Sequence, residues 1–206
     1  MKREGDTKQR LVKVAAQLIW EQSYGSVGVD DICKKAGVTK GSFYFAFPSK
    51  VDLAIAALED HWQTKRAVLD SIFSSQEPAL SRFEKYCDLI ISDQKSKCEE
   101  FGKVCGCPAC SLGSELSTQD EKIRLKSDEM MERIIRYLIS AVSALQAEGL
   151  IPQEDPKVIA RQIYDYIMGL MLEAKIQNSL ETLNRLKPGI YRILGLKPAR
   201  LTSVTA

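Results

Sequence analysis

Histidine is almost missing from this chain: one residue, His61, in 206. Metal sites built on imidazole and histidine-based proton relays therefore have almost nothing to work with. His61 lies in LEDHW, inside a helical pattern and without a partner at a telling spacing. The chain also lacks the nucleophile elbow of serine hydrolases, the phosphate-binding loop and the paired-histidine helix of zinc proteases. No run of about eighteen apolar residues exists, which argues against a membrane-spanning helix. The N-terminus MKREGDTKQR has no apolar core of a secretory leader, so a cytoplasmic protein is expected. The six cysteines are then expected to be mostly reduced thiols rather than a disulfide framework.

What is present reads as a globular, all-α chain. It is 45% hydrophobic and 27% charged, with apolar residues recurring at helical spacing and no strand-like alternation. The net charge is only +2 but is unevenly placed. Residues 1–50 hold nine Lys/Arg against five Asp/Glu, leaving the remainder at −2. A basic segment beside a mildly acidic remainder suits a nucleic-acid reader joined to a domain with another job.

The reader is visible in VDDICKKAGVTKGSFYFAFPSK, residues 29–50. Asp30 and Asp31 open a short helix at the positive end of its dipole, and Ile32 and Ala36 share one face. Gly37 stops that helix and Thr39 caps a second one, which carries Lys40, Gly41, Ser42, Phe43, Tyr44 and Phe45 before Pro48 forces an exit. A helix, a glycine turn and a helix with basic, hydroxyl and aromatic tips describe a helix-turn-helix. Phe43 and Phe47 are expected to anchor it inside a three-helix domain. The first of those helices is expected over about Thr7–Gln22, with Leu11, Val14, Ala15, Leu18 and Ile19 as its apolar stripe. Lys2, Arg3, Lys8 and Arg10 near its start are candidate phosphate contacts.

AGVTKGSFYFAFPSKVDL resembles the recognition-helix signature of TetR-family transcriptional regulators, with departures at Phe45, where histidine is frequent, and at Gly28, where threonine often caps. The resemblance implies DNA contacts from Thr39, Lys40, Gly41, Ser42, Tyr44, Phe45 and Lys50. It implies a helix-turn-helix domain over residues 1–50 and an effector-binding and dimerisation domain over 51–206, about nine helices in all. It further implies a homodimer through the last two long helices, a double-stranded operator as partner and a mostly apolar effector pocket. No cofactor is implied, and the effector stays unnamed. Trp62, Phe83, Tyr86, Cys107, Tyr137, Tyr164 and Met168 are the soft or amphipathic residues on the helices that would line the pocket. Each is equally accounted for as ordinary core.

Beyond the reader, a long fourth helix opens at a Ser49–Asp52 cap and links the reader to the rest. A fifth is expected from Glu77-Pro78 to about Lys95, a connector over Lys97–Cys110, and a short sixth over Ser111–Leu116. A long helix over Asp120–Glu148 follows, then one from Asp155-Pro156 to about Ser179, and a last one bent near Pro188-Gly189. The connector holds Cys98, Cys105, Cys107 and Cys110. These are either inert small residues, a thiol switch centred on Cys105, Cys107 and Cys110, or a thiolate metal site. The C-x-C spacing disfavours the metal, and no metal is expected. Two function classes thus remain: a DNA-binding repressor released by a small or electrophilic molecule, and a thiol-based redox or metal sensor.

Overall fold

The structure, a computed structural model, describes residues 2–196, and side chains from residue 5 onward. The candidate phosphate contacts Lys2 and Arg3 therefore lie outside the described side chains. Among the described residues every regular element is a helix. These are α1 (Lys2–Glu21), α2 (Val29–Ala36), α3 (Lys40–Ala46), α4 (Lys50–Ile72), α5 (Ala79–Phe101), α6 (Pro108–Leu116), α7 (Glu121–Ala147), α8 (Pro156–Gln177) and α9 (Leu186–Ile193), with a 3-10 turn at Glu181–Arg185 before α9.

Several boundaries depart from the sequence expectation for local reasons. α1 begins before Thr7, at Lys2, and Asp6 lies inside it, pairing with Arg10 one turn on at 3.4 Å. α5 runs past Lys95 to Phe101, since no glycine or proline interrupts it until Gly102. That residue closes the helix in the left-handed conformation, φ 70°, and donates to the Cys98 carbonyl. α6 starts at Pro108 instead of Ser111, with proline in the first turn, where its missing N–H costs nothing. Pro188 produces no bend inside α9, because it falls in that helix's first turn. The irregularity is the 3-10 turn ahead of it.

The chain divides into two compact units, residues 1–68 with 107–131, and residues 69–106 with 132–206. α4 and α7 each begin in the first unit and end in the second. The first unit is therefore larger than the segment 1–50 expected for the reader. Its inner core is the three-helix set, with Leu11, Val12, Ala15 and Leu18 of α1, Ile32 and Ala36 of α2, and Phe43 and Phe47 packed with Leu53 and Ala57 of α4. A second cluster, Ala54, Leu58, Ala109, Leu112, Ile123 and Met130, adds α6 and the start of α7 to the other face of α4. Both clusters bury α4, so its early turns cannot be cut from the reader without exposing apolar surface.

The second unit is built on buried Phe73, Phe83, Tyr86, Ile90, Leu138, Val142, Leu145, Ile163, Ile167 and Leu183. Gln94 is buried but satisfied: it accepts from Gly106 N at 2.8 Å and donates to Gly106 O at 3.2 Å. α9 crosses α8 at Gly189, where a Cβ would collide with the Tyr166 ring, and the Tyr166 hydroxyl donates to Arg185 O at 2.9 Å. α8 is apolar on more than one face. Ile159, Ile163, Ile167 and Ala174 are buried, yet Val158, Leu172 and Ile176 are 53%, 59% and 76% exposed.

Candidate nucleic-acid interface

The reader is positioned by backbone chemistry that its sequence dictates. Gly37 takes φ 63°, ψ 42°, and the turn it makes lets Gly37 N and Val38 N donate to the Lys34 and Cys33 carbonyls at 3.3 and 3.0 Å. Thr39 then caps α3: its hydroxyl accepts from Ser42 N at 3.1 Å and sits 3.0 Å from the Ser42 hydroxyl. Gly28 supplies no side-chain cap for α2, and Asp31 compensates by accepting from Gly28 N at 2.8 Å.

α3 has two unlike faces. Phe43 is wholly buried and Phe47 nearly so, which fixes the helix to its domain. On the other side Tyr44 and Phe45 are 55% and 78% exposed. Tyr44 leans edge-on against Phe43, with centroids 5.1 Å apart, so its hydroxyl tip is carried by a rigid base. Lys40 is exposed and pairs with Asp30 at 2.8 Å. The hydrogen bond it donates to Asp30 raises its pKa above the ordinary lysine value. An exposed pair of this kind contributes little to stability and can be exchanged for a phosphate. Lys8 lines a groove with Gly5, Thr7, Gly41, Ser42, Phe45 and Ala46, so the start of α1 and the exposed face of α3 border one surface. Of the sequence candidates, Gly41, Ser42 and Phe45 line that groove, Thr39 and Lys40 stand at the start of α3, and Tyr44 is exposed on it.

Two basic residues are used differently from that proposal. Lys50 is turned inward: its ammonium donates to the carbonyls of Tyr24 and Val27, both at 2.7 Å, and lies 3.8 Å from the centroid of the Tyr24 ring. Burial pushes its pKa down. As the structure stands, this cation holds the turn before α2 instead of reaching outward. Arg10 donates to the Ala36 carbonyl at 3.3 Å and so caps the end of α2. Sequence reasoning also missed Glu115 of α6, whose carboxylate accepts from Tyr24 N at 3.2 Å and Gly25 N at 2.6 Å. The Tyr24–Val27 turn is held by Lys50 through its carbonyls and by Glu115 through its amides. A lone glutamate on a short helix gives no sequence signal for such a contact.

The candidate effector residues are divided. Trp62 and Cys107 pack on the second cluster of the first unit. Phe83, Tyr86, Tyr137, Tyr164 and Met168 belong to the second unit. There Phe73 joins Tyr86 and Tyr137 at centroid distances of 5.4 and 5.1 Å, and the Tyr137 hydroxyl donates to Asp70. Phe83 is fully buried core.

His61 has an aromatic partner, Trp20, at a centroid distance of 4.4 Å. All six cysteines are free thiols. Burial raises the Cys105 thiol, against the lowering pull of Lys175, Lys97 and Lys103. Cys107 rises well above its ordinary value, first because it is hydrogen-bonded to Cys110 and then through burial. Among the described residues no group of three or more His, Cys, Asp or Glu is placed to hold a metal, and no helix is long and apolar enough to cross a membrane.

An anchored, capped short helix presenting basic, hydroxyl and aromatic tips defines a helix-turn-helix DNA-binding regulator. The family profile for bacterial regulatory proteins of the tetR family matches residues 11–57, and that for the tetracyclin repressor-like C-terminal domain matches residues 79–190. The Transposon Tn10 TetC protein of Escherichia coli is 31% identical over 201 residues, covering 93% of this chain and 92% of that protein. The transcriptional repressor NemR of Escherichia coli is 27% identical, with 93% and 95% covered. The solved structure of reduced NemR superposes with a TM-score of 0.77 at 26% identity, covering 92% of this chain and 98% of that one. The chain belongs to the TetR family of DNA-binding transcriptional regulators, which are not enzymes.

Proposed function

We propose that this protein is a homodimeric repressor that binds a palindromic operator and is released by a small-molecule effector. The observation that carries the reading is the Lys40–Ser42–Tyr44–Phe45 face, exposed at Lys40, Tyr44 and Phe45, on a helix anchored by buried Phe43. Lysine, hydroxyl and phenol tips suit phosphates and base edges, and an exposed phenylalanine suits a thymine methyl. Residues 1–50 supply the reader, and residues 51–206 supply effector binding and dimerisation. The exposed apolar stripe of α8, Val158, Leu172 and Ile176, supports a dimer through the last long helices. Such a dimer would present two readers to successive major-groove faces about 34 Å apart. Kinship with NemR, named as a repressor, supports repression. The fold and the thiol pattern agree with a cytoplasmic protein.

An effector releases DNA only to the extent that it prefers the state unable to bind DNA. Tyr86 and Tyr137, gathered around Phe73, are the members of the candidate set best placed to contact one. A second reading, in which thiol chemistry supplies the signal, is favoured by the contact between Cys107 and Cys110. The test is fluorescence anisotropy against a library of short duplexes at two salt concentrations. Selection of a palindromic site with steep salt dependence is expected. Absence of duplex binding under every condition would overturn the reading.

A further inference from the structure

α6 carries chemistry at both ends, all of it within the first unit. At its start Cys107 occupies the cap position in an extended conformation, φ −87°, ψ 124°, and Cys110 follows three residues on, in the first turn. The two side chains are hydrogen-bonded to each other. Both thiols are only partly buried. At the other end Glu115 holds the amides of Tyr24 and Gly25. Between these ends Ala109 and Leu112 are sunk in the apolar cluster, and Gly113 approaches Ser127 so closely that a Cβ would lie 2.9 Å from its hydroxyl.

We propose that Cys107 and Cys110 form a reversible dithiol–disulfide site for hydroperoxides, and that α6 transmits its oxidation through Glu115 to the turn that seats the reader. The output rests on the DNA-binding reading above; the chemistry does not. In the first step one cysteine sulfur attacks the O–O bond, the peroxide leaves as an alcohol, and a sulfenic acid remains. The second sulfur then attacks the first, the S–O bond breaks and water leaves. Two thiols give up two electrons and two protons, and one hydroperoxide becomes one alcohol and one water.

Cys107 is the extended residue ahead of the helix and Cys110 lies in its first turn, so a disulfide, which wants Cβ atoms about 3.8 Å apart, ties the cap residue to that turn and resets the geometry at the start of α6. The helix is only about 13 Å long, and its close contact with Ser127 leaves little room to absorb the change. Of the remaining thiols, Cys33, Cys87 and Cys105 are buried, and Cys98, though partly exposed, has no second cysteine three residues away.

The test uses the full-length chain, reduced and then treated with cumene hydroperoxide. Alkylation and intact mass are read before and after dithiothreitol. Joint protection of Cys107 and Cys110 with loss of two hydrogens, reversed by the reductant, is expected. It should vanish in Cys107→Ser and in Cys110→Ser and persist in Cys105→Ser. Unmodified thiols, sulfinic acids or a bond to Cys105 would each overturn the site. In the anisotropy assay the oxidised protein is expected to bind its duplex about tenfold more weakly than the reduced one, with the difference abolished in Glu115→Ala. Equal binding of both forms of the unsubstituted protein would overturn the transmission. Reduced protein that binds no duplex would defeat the DNA-binding reading, and the mass measurement would still decide the dithiol.

Discussion

Phe43 and Tyr44 are neighbours on α3, yet Phe43 has no exposed surface and Tyr44 is 55% exposed. The two substitutions should therefore separate cleanly. Phe43→Ala leaves a cavity and is expected to cost about 3–5 kcal/mol of stability, read by denaturant unfolding. Tyr44→Ala should leave unfolding and the dimer unchanged and weaken operator binding about tenfold, as loss of one base or phosphate contact would. Lys50 gives a second prediction at this scale. With its ammonium on two carbonyls, Lys50→Met strands both acceptors and should destabilise by about 1–3 kcal/mol. The salt slope of duplex binding should stay unchanged. A slope shallower by about one would show instead that Lys50 neutralises a phosphate.

At the scale of elements, helix ends and crossings decide. The start of α4 is closed by Ser49, whose hydroxyl accepts from Asp52 N at 3.1 Å and donates to the Asp52 carboxylate at 2.6 Å. That hydrogen bond, followed by the ammonium of Lys122, holds the Asp52 carboxyl below its ordinary 3.8. A depressed carboxyl pKa contributes stability that is complete above the unfolded value and is lost as pH falls through the folded one. Asp52→Asn should thus lower the melting temperature at neutral pH, and the deficit should begin to shrink below about pH 4 and disappear as pH falls through the lowered folded value. A deficit that persists in acid would show that the loss is steric instead. At the α8–α9 crossing, Gly189→Ala drives a methyl group into Tyr166. Overpacking of this kind costs about 1–3 kcal/mol, and tryptic digestion should reach α9 earlier than in the unsubstituted protein.

For the whole molecule, the exposed stripe of α8 is the feature that a single chain does not explain. Replacing Leu172 and Ile176 together by glutamate places charge on that stripe without touching a buried side chain. Sedimentation is expected to show monomers in place of dimers, with helix content retained and operator affinity reduced because two linked readers become one. Unchanged sedimentation would move the interface elsewhere.

The sequence by itself determined the all-α class, the helix-turn-helix and the caps at Gly37, Thr39 and Ser49. Each of these depends on residues within one turn of one another, so the pattern and the contact lie in the same short string. Phe43 and Phe47 were legible as anchors for a related reason, since their i, i+4 spacing puts them on one face, turned away from Phe45. Only the tertiary structure decided what Lys50, Arg10 and Glu115 do, which residues join the first unit, and how the candidate effector residues divide. Glu115 meets Tyr24 across 91 positions of sequence. Nothing within a turn of either residue encodes that meeting. It follows from the packing of α6 on α4, where buried apolar area sets the position and the polar groups take whatever partners that position offers.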